Sequence, residues 1–392
     1  MKRGDLCPEL RNTARKLPDP YANHYGVIPP PPPETGIRLG ALLPRVQAGR
    51  QALARVNAIA EELKDPYLIS RTLTRREAVS SSTIEGTRST LDELLLVEEQ
   101  GDDAARVEAR QVRDYAQVLE TLLPQARRQG NAIFTQALIQ DLHRAVMRDV
   151  PDYADPPGAL RQRVVWIGGV NINHSTYNPP PPDAVADCLT ETIDYLGNTG
   201  LQATHQDVLI RMAVAHSHFE AVHPFRDGNG RVGRLLLPLM MAADGQVPLY
   251  LSPGIEAHKD RYFASLKAAQ QQLHWAEMVA FLADIVVETV DELMATRAAL
   301  AALRESWVGR RRFRKGSAAL TALDVLPHYP IVTVRRLGDL LDISGPQAAM
   351  ALKQLQDAGI VAEKTGYVRN RIFVATEALA IINRPFGADV PG

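Results

Sequence analysis

The twelve residues His223-Pro224-Phe225-Arg226-Asp227-Gly228-Asn229-Gly230-Arg231-Val232-Gly233-Arg234 run directly into the apolar stretch Leu235-Leu236-Leu237-Pro238-Leu239-Met240-Met241. A polar, glycine-punctuated loop followed at once by an unbroken apolar run has to open a buried element, which fixes polar atoms on a rigid support. Gly228-Asn229-Gly230 can take positive φ values that point successive backbone N–H groups into one concavity. At a helix N-terminus such a nest attracts phosphate through free amides and the helix dipole together. Arg231 and Arg234, three apart, share one face of the first turn and are expected to reach the same polyphosphate. Asp227 is a hard oxygen ligand, suited to holding Mg²⁺ or Mn²⁺ against phosphate oxygens. His223, four residues earlier, can accept a proton from an incoming hydroxyl at neutral pH. A lone Gly-Asn-Gly or His-Pro is ordinary; the joint spacing sets this stretch apart.

The surroundings read as helical. Leu42, Leu43, Val46, Leu53, Val56, Ile59 and Leu63 recur at threes, fours and sevens, which marks one apolar helix face. Further helices are predicted over 75–84, ending at a Gly86 cap, and over 102–125, 136–148, 183–197, 205–222, 255–272 and 276–306. One segment breaks the pattern. Arg163-Val164-Val165-Trp166-Ile167-Gly168-Gly169-Val170 combines β-branched and aromatic residues with a Gly-Gly turn, so it reads as a short hairpin acting as a flap. Five prolines, 29–33, favour an extended arm that serves as a surface strap. Beyond a basic run, 310–315, the order helix, turn, helix, helix and hairpin is that of a winged-helix module, with residues 367–374 in the wing.

The expected fold class is therefore mainly all-α, with a helical core, a β-hairpin flap and a small winged-helix domain. The expected boundaries are an extended arm 1–38, a helical region 39–105, a catalytic core 106–306, a basic linker 307–317, the winged helix 318–378 and a tail 379–392. With 45% hydrophobic and 23% charged residues and a net charge of -1, the chain has no global pull towards nucleic acid or anionic membranes. Cys7 and Cys188 are too few for a disulfide scaffold or a thiolate metal site. The polar first thirty residues and the lack of a long apolar run point to a cytoplasmic chain with no membrane partner.

At every fixed position the motif resembles the Fic signature, His-x-Phe-x-Asp/Glu-Gly-Asn-Gly-Arg-x-x-Arg. The resemblance implies an α-helical enzyme that moves AMP from ATP onto a Ser, Thr or Tyr hydroxyl of a target protein and of itself. It implies His223 as general base, Asp227 as the Mg²⁺ ligand, and Gly228, Asn229, Gly230 and Arg231 as the anion cradle. Arg234 would meet the γ-phosphate, with Arg226, Val232 and Gly233 part of the same nucleotide-binding surface. Ile167, Gly168, Gly169 and Val170 would form the flap over the nucleotide, whose edge pairs with the target backbone. Tyr262, Leu266 and Gln270 share a helical stripe that in similar proteins lines the adenine; Gln270 stands where Asn is expected.

Ser81-Ser82-Thr83-Ile84-Glu85-Gly86 resembles the inhibitory motif of the same family, Ser/Thr-x-x-x-Glu-Gly/Asn. The resemblance implies that Glu85 pairs with Arg234 and displaces γ-phosphate contacts. An enzyme that also removes AMP, with Glu85 orienting water, and transfer of another phosphate-containing group remain alternatives. So does a nucleotide-responsive DNA-binding regulator. The presumed recognition helix, 347–358, offers Gln347, Lys353 and Gln354 but no arginine, while Arg369 and Arg371 lie in the wing. That set favours protein docking or a homodimer over DNA as the module's partner.

Overall fold

The computed structural model describes residues 1–33, 37–62, 70–100, 106–151, 153–198, 207–364 and 371–391. The threes-and-fours spacing resolves into helices. The first six are α1 (Pro8–Thr13), α2 (Leu43–Glu62), α3 (Ser70–Ile84), α4 (Leu91–Gln100), α5 (Val107–Gln129) and α6 (Gln136–Met147). There follow α7 (Val185–Leu196), α8 (Val208–Val222), α9 (Asn229–Ala243), α10 (Ser252–Ala257), α11 (Lys259–Gln272) and α12 (Trp275–Arg310). The last four are α13 (Ala318–Val325), α14 (Val334–Leu341), α15 (Gly345–Asp357) and α16 (Thr376–Ile382). Short strands complete the set: β1 (Ala14–Lys16), β2 (Tyr25–Val27), β3 (Ile331–Thr333), β4 (Ala362–Glu363) and β5 (Ile372–Val374). No helix among the described residues is long and apolar enough to cross a membrane.

The core is built around α8 and α9. Every residue of α8 is buried, and so is nearly all of α9, as expected of helices apolar on all sides. Helices α2, α5, α6, α10, α11 and the first half of α12 pack around this pair and contribute Leu53, Tyr115, Leu142, Ile255, Tyr262 and Phe281 to one continuous cluster. The loop between α8 and α9 therefore has both of its ends anchored in the best-packed part of the molecule.

Four expectations are corrected. The first stretch is no bare arm: α1 and the antiparallel pair β1–β2 close over Leu6, Leu10 and Val27, which pack on Tyr177 and Ala221. A further helix, α4, stands between those expected, and Thr90 and Glu93 form a reciprocal capping pair at its start. The expected linker at 307–317 is helical at its beginning, since α12 continues to Arg310 and fully buries Trp307. The boundary at 378/379 falls inside α16, whose Leu379, Ile381 and Ile382 are buried. The starts expected for α5 and α8 at 102 and 205, Leu63, and the wing residues 367–370 with Arg369 lie outside the described residues.

In the C-terminal unit, α13, β3, α14, α15 and the β4–β5 pair follow the anticipated order, with antiparallel strands arranged β3-β5-β4. Its core includes Val332, Leu337, Leu352 and Phe373 and also takes in Leu91 and Leu95 of α4 and Leu300 and Trp307 of α12. Leu94 of α4 belongs instead to the cluster around α8 and α9. Helix α4 is thus shared, and its carboxylates grip both sides. Glu98 pairs with Arg71 and Arg75 of α3, while Glu99 accepts from Arg336 of α14 at 2.8 Å. A second bridge runs from Arg76 of α3 to Glu292 at 3.1 Å and to the Arg384 carbonyl at 2.8 Å.

Candidate active site

Helix α8 ends at His223, which caps it in the left-handed conformation, φ 49° and ψ 62°. Three side chains hold the following loop. Buried Arg161 donates to the carbonyls of His223 and Pro180 at 2.8 Å, of Arg163 at 3.2 Å and of Val222 at 3.3 Å. Asn229 clasps Phe225 from both sides, accepting its N–H and donating to its carbonyl, each at 2.9 Å. His143 stacks on the Phe225 ring with centroids 3.8 Å apart. Its Nδ1 accepts from the Gly158 N–H at 2.7 Å, which leaves Nε2 to donate to the Asp227 carbonyl at 3.0 Å. Burial lowers the His143 pKa to about 4, so this imidazole is neutral near pH 7.

Of the Gly228-Asn229-Gly230 turn, only Gly228 takes a positive φ. Gly228 takes φ 78° as the N-cap of α9, where a side chain would strain the backbone and meet Met147 Sδ at 2.7 Å. Beside it the Asp227 side chain is exposed, and its Oδ1 accepts the Gly228 N–H at 2.6 Å. Arg226 is exposed and lies 3.6 Å from Asp155.

Arg234 lies at the centre of the site. Its side chain is 1% exposed, and its Nε donates to Ser81 Oγ at 2.9 Å. Its Nη2 donates to the Ser81 carbonyl at 2.9 Å and to Glu85 Oε1 at 2.8 Å. Burial works against the guanidinium charge, yet Glu85 beside it holds the pKa above the ordinary arginine value. Burial would likewise raise the Glu85 carboxyl, but Arg234 holds it below the usual carboxylate range. The Glu85 carboxylate also lies over Gly230, where an added Cβ would collide with it. Glu85 therefore occupies the space above the first turn of α9, and its side chain stays 40% exposed.

Several expected roles are not what the structure shows. Arg231 does not reach out beside Arg234; it donates to the Val146 carbonyl and to Met147 Sδ, each at 3.1 Å, and so braces the end of α6. Val232 is fully buried core. Gly233 is buried because Glu220 Oε1 and the His216 ring would lie 2.5 Å and 3.1 Å from a Cβ there. Tyr262, 1% exposed, lies in the core with its hydroxyl 2.7 Å from His216 Nε2. Leu266 and Gln270 are buried with it, so the stripe on α11 faces packing and not an open wall.

The flap is a turn held by one antiparallel bridge, Ile167 to Tyr177, and not a strand ladder from Arg163. The Ile167 N–H donates to the Tyr177 carbonyl and the Thr176 N–H to the Ile167 carbonyl, both at 2.8 Å. Gly168 and Gly169 have φ of 70° and 74°, and Val170 at the tip is 90% exposed. Gln271, one residue past the expected Gln270, donates to the Thr176 carbonyl at 2.7 Å and ties α11 to the flap.

Arg161, His143, Gln271 and Glu220 shape the site without having been singled out. Only Glu220 had a local signal, its i, i+3 spacing to His223. Its buried carboxyl is pushed up to about 8, with burial the main cause. Burial, with Arg161 adding to it, lowers the His223 pKa to about 4, which keeps this imidazole a free base at neutral pH.

Residues 133–241 match the Fic/DOC family and residues 43–121 match the Fic/DOC family N-terminal region. Among curated proteins, the chain is 35% identical over 133 residues to protein adenylyltransferase fic-1 of Caenorhabditis briggsae, covering 33% of this chain and 23% of that protein. It is 30% identical over 155 residues to protein adenylyltransferase Fic of Drosophila willistoni, covering 39% and 28%. The chain thus spans under a third of the length of these two relatives. Among solved structures, a Fic family protein from Desulfovibrio desulfuricans G20 superposes with a TM-score of 0.54 at 21% identity, over 88% of this chain and 98% of that one.

Proposed function

We propose that this chain, whose residues 133–241 match the Fic/DOC family and residues 43–121 that family's N-terminal region, transfers AMP from ATP to a hydroxyl side chain of a target protein. One observation carries the reading. A neutral, loop-fixed His223 stands at one end of a twelve-residue stretch whose other end is a free-amide nest with Arg234 behind it. In-line displacement at an α-phosphate needs a base on the attacking side and stabilised charge on the leaving side. His223 takes the proton as the target oxygen bonds to phosphorus. The departing pyrophosphate is met by the α9 amides and by Arg234 once Glu85 has left it. The exposed flap edge at Gly168 and Gly169 suits docking of an extended target segment by strand addition, which reads little of its sequence.

Among the described residues no three His, Cys, Asp or Glu gather into a cage. That suits Mg²⁺, which takes one or two carboxylates and completes its shell with phosphate oxygens and water. The exposed Asp227, with one oxygen committed to the Gly228 amide, is the residue that would hold it, and the bound ion would neutralise phosphate charge. The Glu85–Arg234 pair supports reading this conformation as braked. In the C-terminal unit, Lys353 is tied to Asp357 at 2.6 Å and Met350 lies exposed beside it on α15, which favours a protein partner over DNA.

The test is incubation of the Glu85→Gly chain with Mg²⁺ and ATP labelled at the α- or the γ-phosphate. AMP transfer leaves label from the α-position only, with the matching mass gain on a hydroxyl. Label from the γ-position, or equal competition by UTP or CDP-choline, would replace this reading by phosphoryl transfer or another donor.

A further inference from the structure

Among the buried polar atoms of the site without a hydrogen-bond partner are Nδ1 of His223 and Oε1 of Glu220. The two residues lie one turn apart at the end of α8, and Glu220 Oε2 is 3.8 Å from His223 Nδ1. Glu220 is only 5% exposed. A carboxyl buried without a partner destabilises a fold, and an apolar residue of similar volume would pack there at less cost. The surroundings have nevertheless been cut to admit it. Gly233 leaves the space into which Oε1 projects, and His216 is turned away by its own bonds to the Gly233 carbonyl at 3.1 Å and to the Tyr262 hydroxyl at 2.7 Å.

We propose that Glu220 is the positioning residue for His223: its carboxylate receives the Nδ1–H of the imidazole, so that Nε2 carries the lone pair that takes the target's proton. The role rests on the adenylyl-transfer reading above. In the transfer step the hydroxyl O–H breaks and its proton goes to Nε2. The oxygen bonds to the α-phosphorus, and the bond from that phosphorus to the pyrophosphate oxygen breaks. His223 becomes an imidazolium, and an adjacent carboxylate both fixes the productive tautomer beforehand and stabilises the charge that forms. Closing 3.8 Å to hydrogen-bond length needs less movement than a rotamer change. The groups facing this pair are Arg234 of α9, Glu85 after α3, Tyr262 of α11, and Arg161 and Asp227 of the flanking loops. Burial pushes the Glu220 carboxyl up to about 8 and Glu85 adds to it, while Arg234 favours the ionised form, so the carboxylate that accepts the Nδ1–H is gained as pH rises towards 8. The competing arrangement points Nδ1–H at the Glu220 backbone carbonyl, which also favours the charged imidazole, and leaves the side chain idle.

The experiment compares the full chain with Glu220→Gln and Glu220→Ala, using ¹⁵N-histidine labelling to read the His223 tautomer and pKa without ATP. Wild type is expected to hold His223 as the Nδ1–H tautomer, and both variants to shift it towards Nε2–H with a lower His223 pKa. At pH 8 the melting temperature of Glu220→Gln should rise, because the buried carboxyl is gone. In a Glu85→Gly background kcat should fall about 100-fold with the KM for ATP unchanged. An unchanged tautomer and pKa in both variants overturns the proposal in favour of the backbone carbonyl. A lower melting temperature in Glu220→Gln with an unchanged tautomer assigns Glu220 to packing and overturns it equally. A tautomer shift in a chain that transfers no AMP supports the positioning of His223 and counts against the adenylyl-transfer reading alone.

Discussion

Arg234 and Glu85, 149 residues apart in sequence, share a 2.8 Å charge-assisted hydrogen bond over the first turn of α9. Ser81 completes the arrangement from the preceding turn of α3 by accepting twice from the same guanidinium. The guanidinium thereby commits its Nε and Nη2 on three counts, and the Glu85 carboxylate takes the space above Gly230.

Glu85→Gly removes that competitor and leaves the fold's buried surface intact. Couplings of this kind span roughly 5-fold to 150-fold, so AMP incorporation is expected to rise at least about 10-fold over wild type. Ser81→Ala, which leaves the ion pair, should give a smaller rise. Initial rates of label incorporation decide it, and equal rates in wild type and Glu85→Gly would remove the brake from the account.

Glu98 of α4 stands between Arg71 and Arg75 of α3, the helix that carries Ser81 and leads into Glu85. The Arg75 and Glu98 side chains are largely buried, so Glu98→Ala strands positive charge away from water. Breaking a buried pair from one side costs about 3–5 kcal/mol, and the retained Arg75–Glu120 contact places this case towards the lower end. Calorimetry should show that loss, and hydrogen exchange should show it concentrated in α3. Label incorporation should then rise as the helix loosens.

Arg161 supports the catalytic loop by donating to four backbone carbonyls, His223 among them. Lysine has a single ammonium group and cannot reproduce this fork. Arg161→Lys is expected to lower kcat about 100-fold through a displaced base, while ATP affinity measured by calorimetric titration stays within about 3-fold, since Arg161 is not among the phosphate-facing groups. Weakened ATP binding with an intact kcat would contradict the assignment.

His218 is fully buried on α8 and bonds to Thr192 Oγ1 at 2.8 Å and to the Pro30 carbonyl at 3.1 Å. Burial lowers its pKa to about 4. The unfolded chain therefore binds a proton near pH 6.5 that the folded chain refuses until about pH 4. The stability from neutral His218 is complete above pH 6.5 and declines as pH falls through that window. His218→Gln should flatten the fall in melting temperature between pH 7 and pH 5 relative to wild type. Parallel curves would show that this imidazole does not contribute to acid lability.

Much of the site was legible because its parts are local. His223, Asp227 and Arg234 stand within one loop and the start of α9, and Ser81 lies four residues before Glu85 at the end of α3, so spacing alone places them close together. Thr90 and Glu93 mark the start of α4 just as locally. The errors came where spacing says only which residues share a face, and not what the face meets. Tyr262, Leu266 and Gln270 form a true stripe on α11, but it meets the core. Arg231 and Arg234 share a face of α9, yet α6 takes one guanidinium and Glu85 the other.

The order of residues along the chain determined the helices, the glycine turn at Gly228 and the histidine beside it, since these depend on backbone φ, ψ and contacts a few residues apart. Only the tertiary structure decided that Arg161 and His143 hold the loop and that Gln271 holds the flap. Those pairings join segments 80 or more residues apart, or lie in loops without periodicity. They follow from how the buried faces of α8 and α9 pack against their neighbours, a many-body fit of shape and charge that no local pattern encodes.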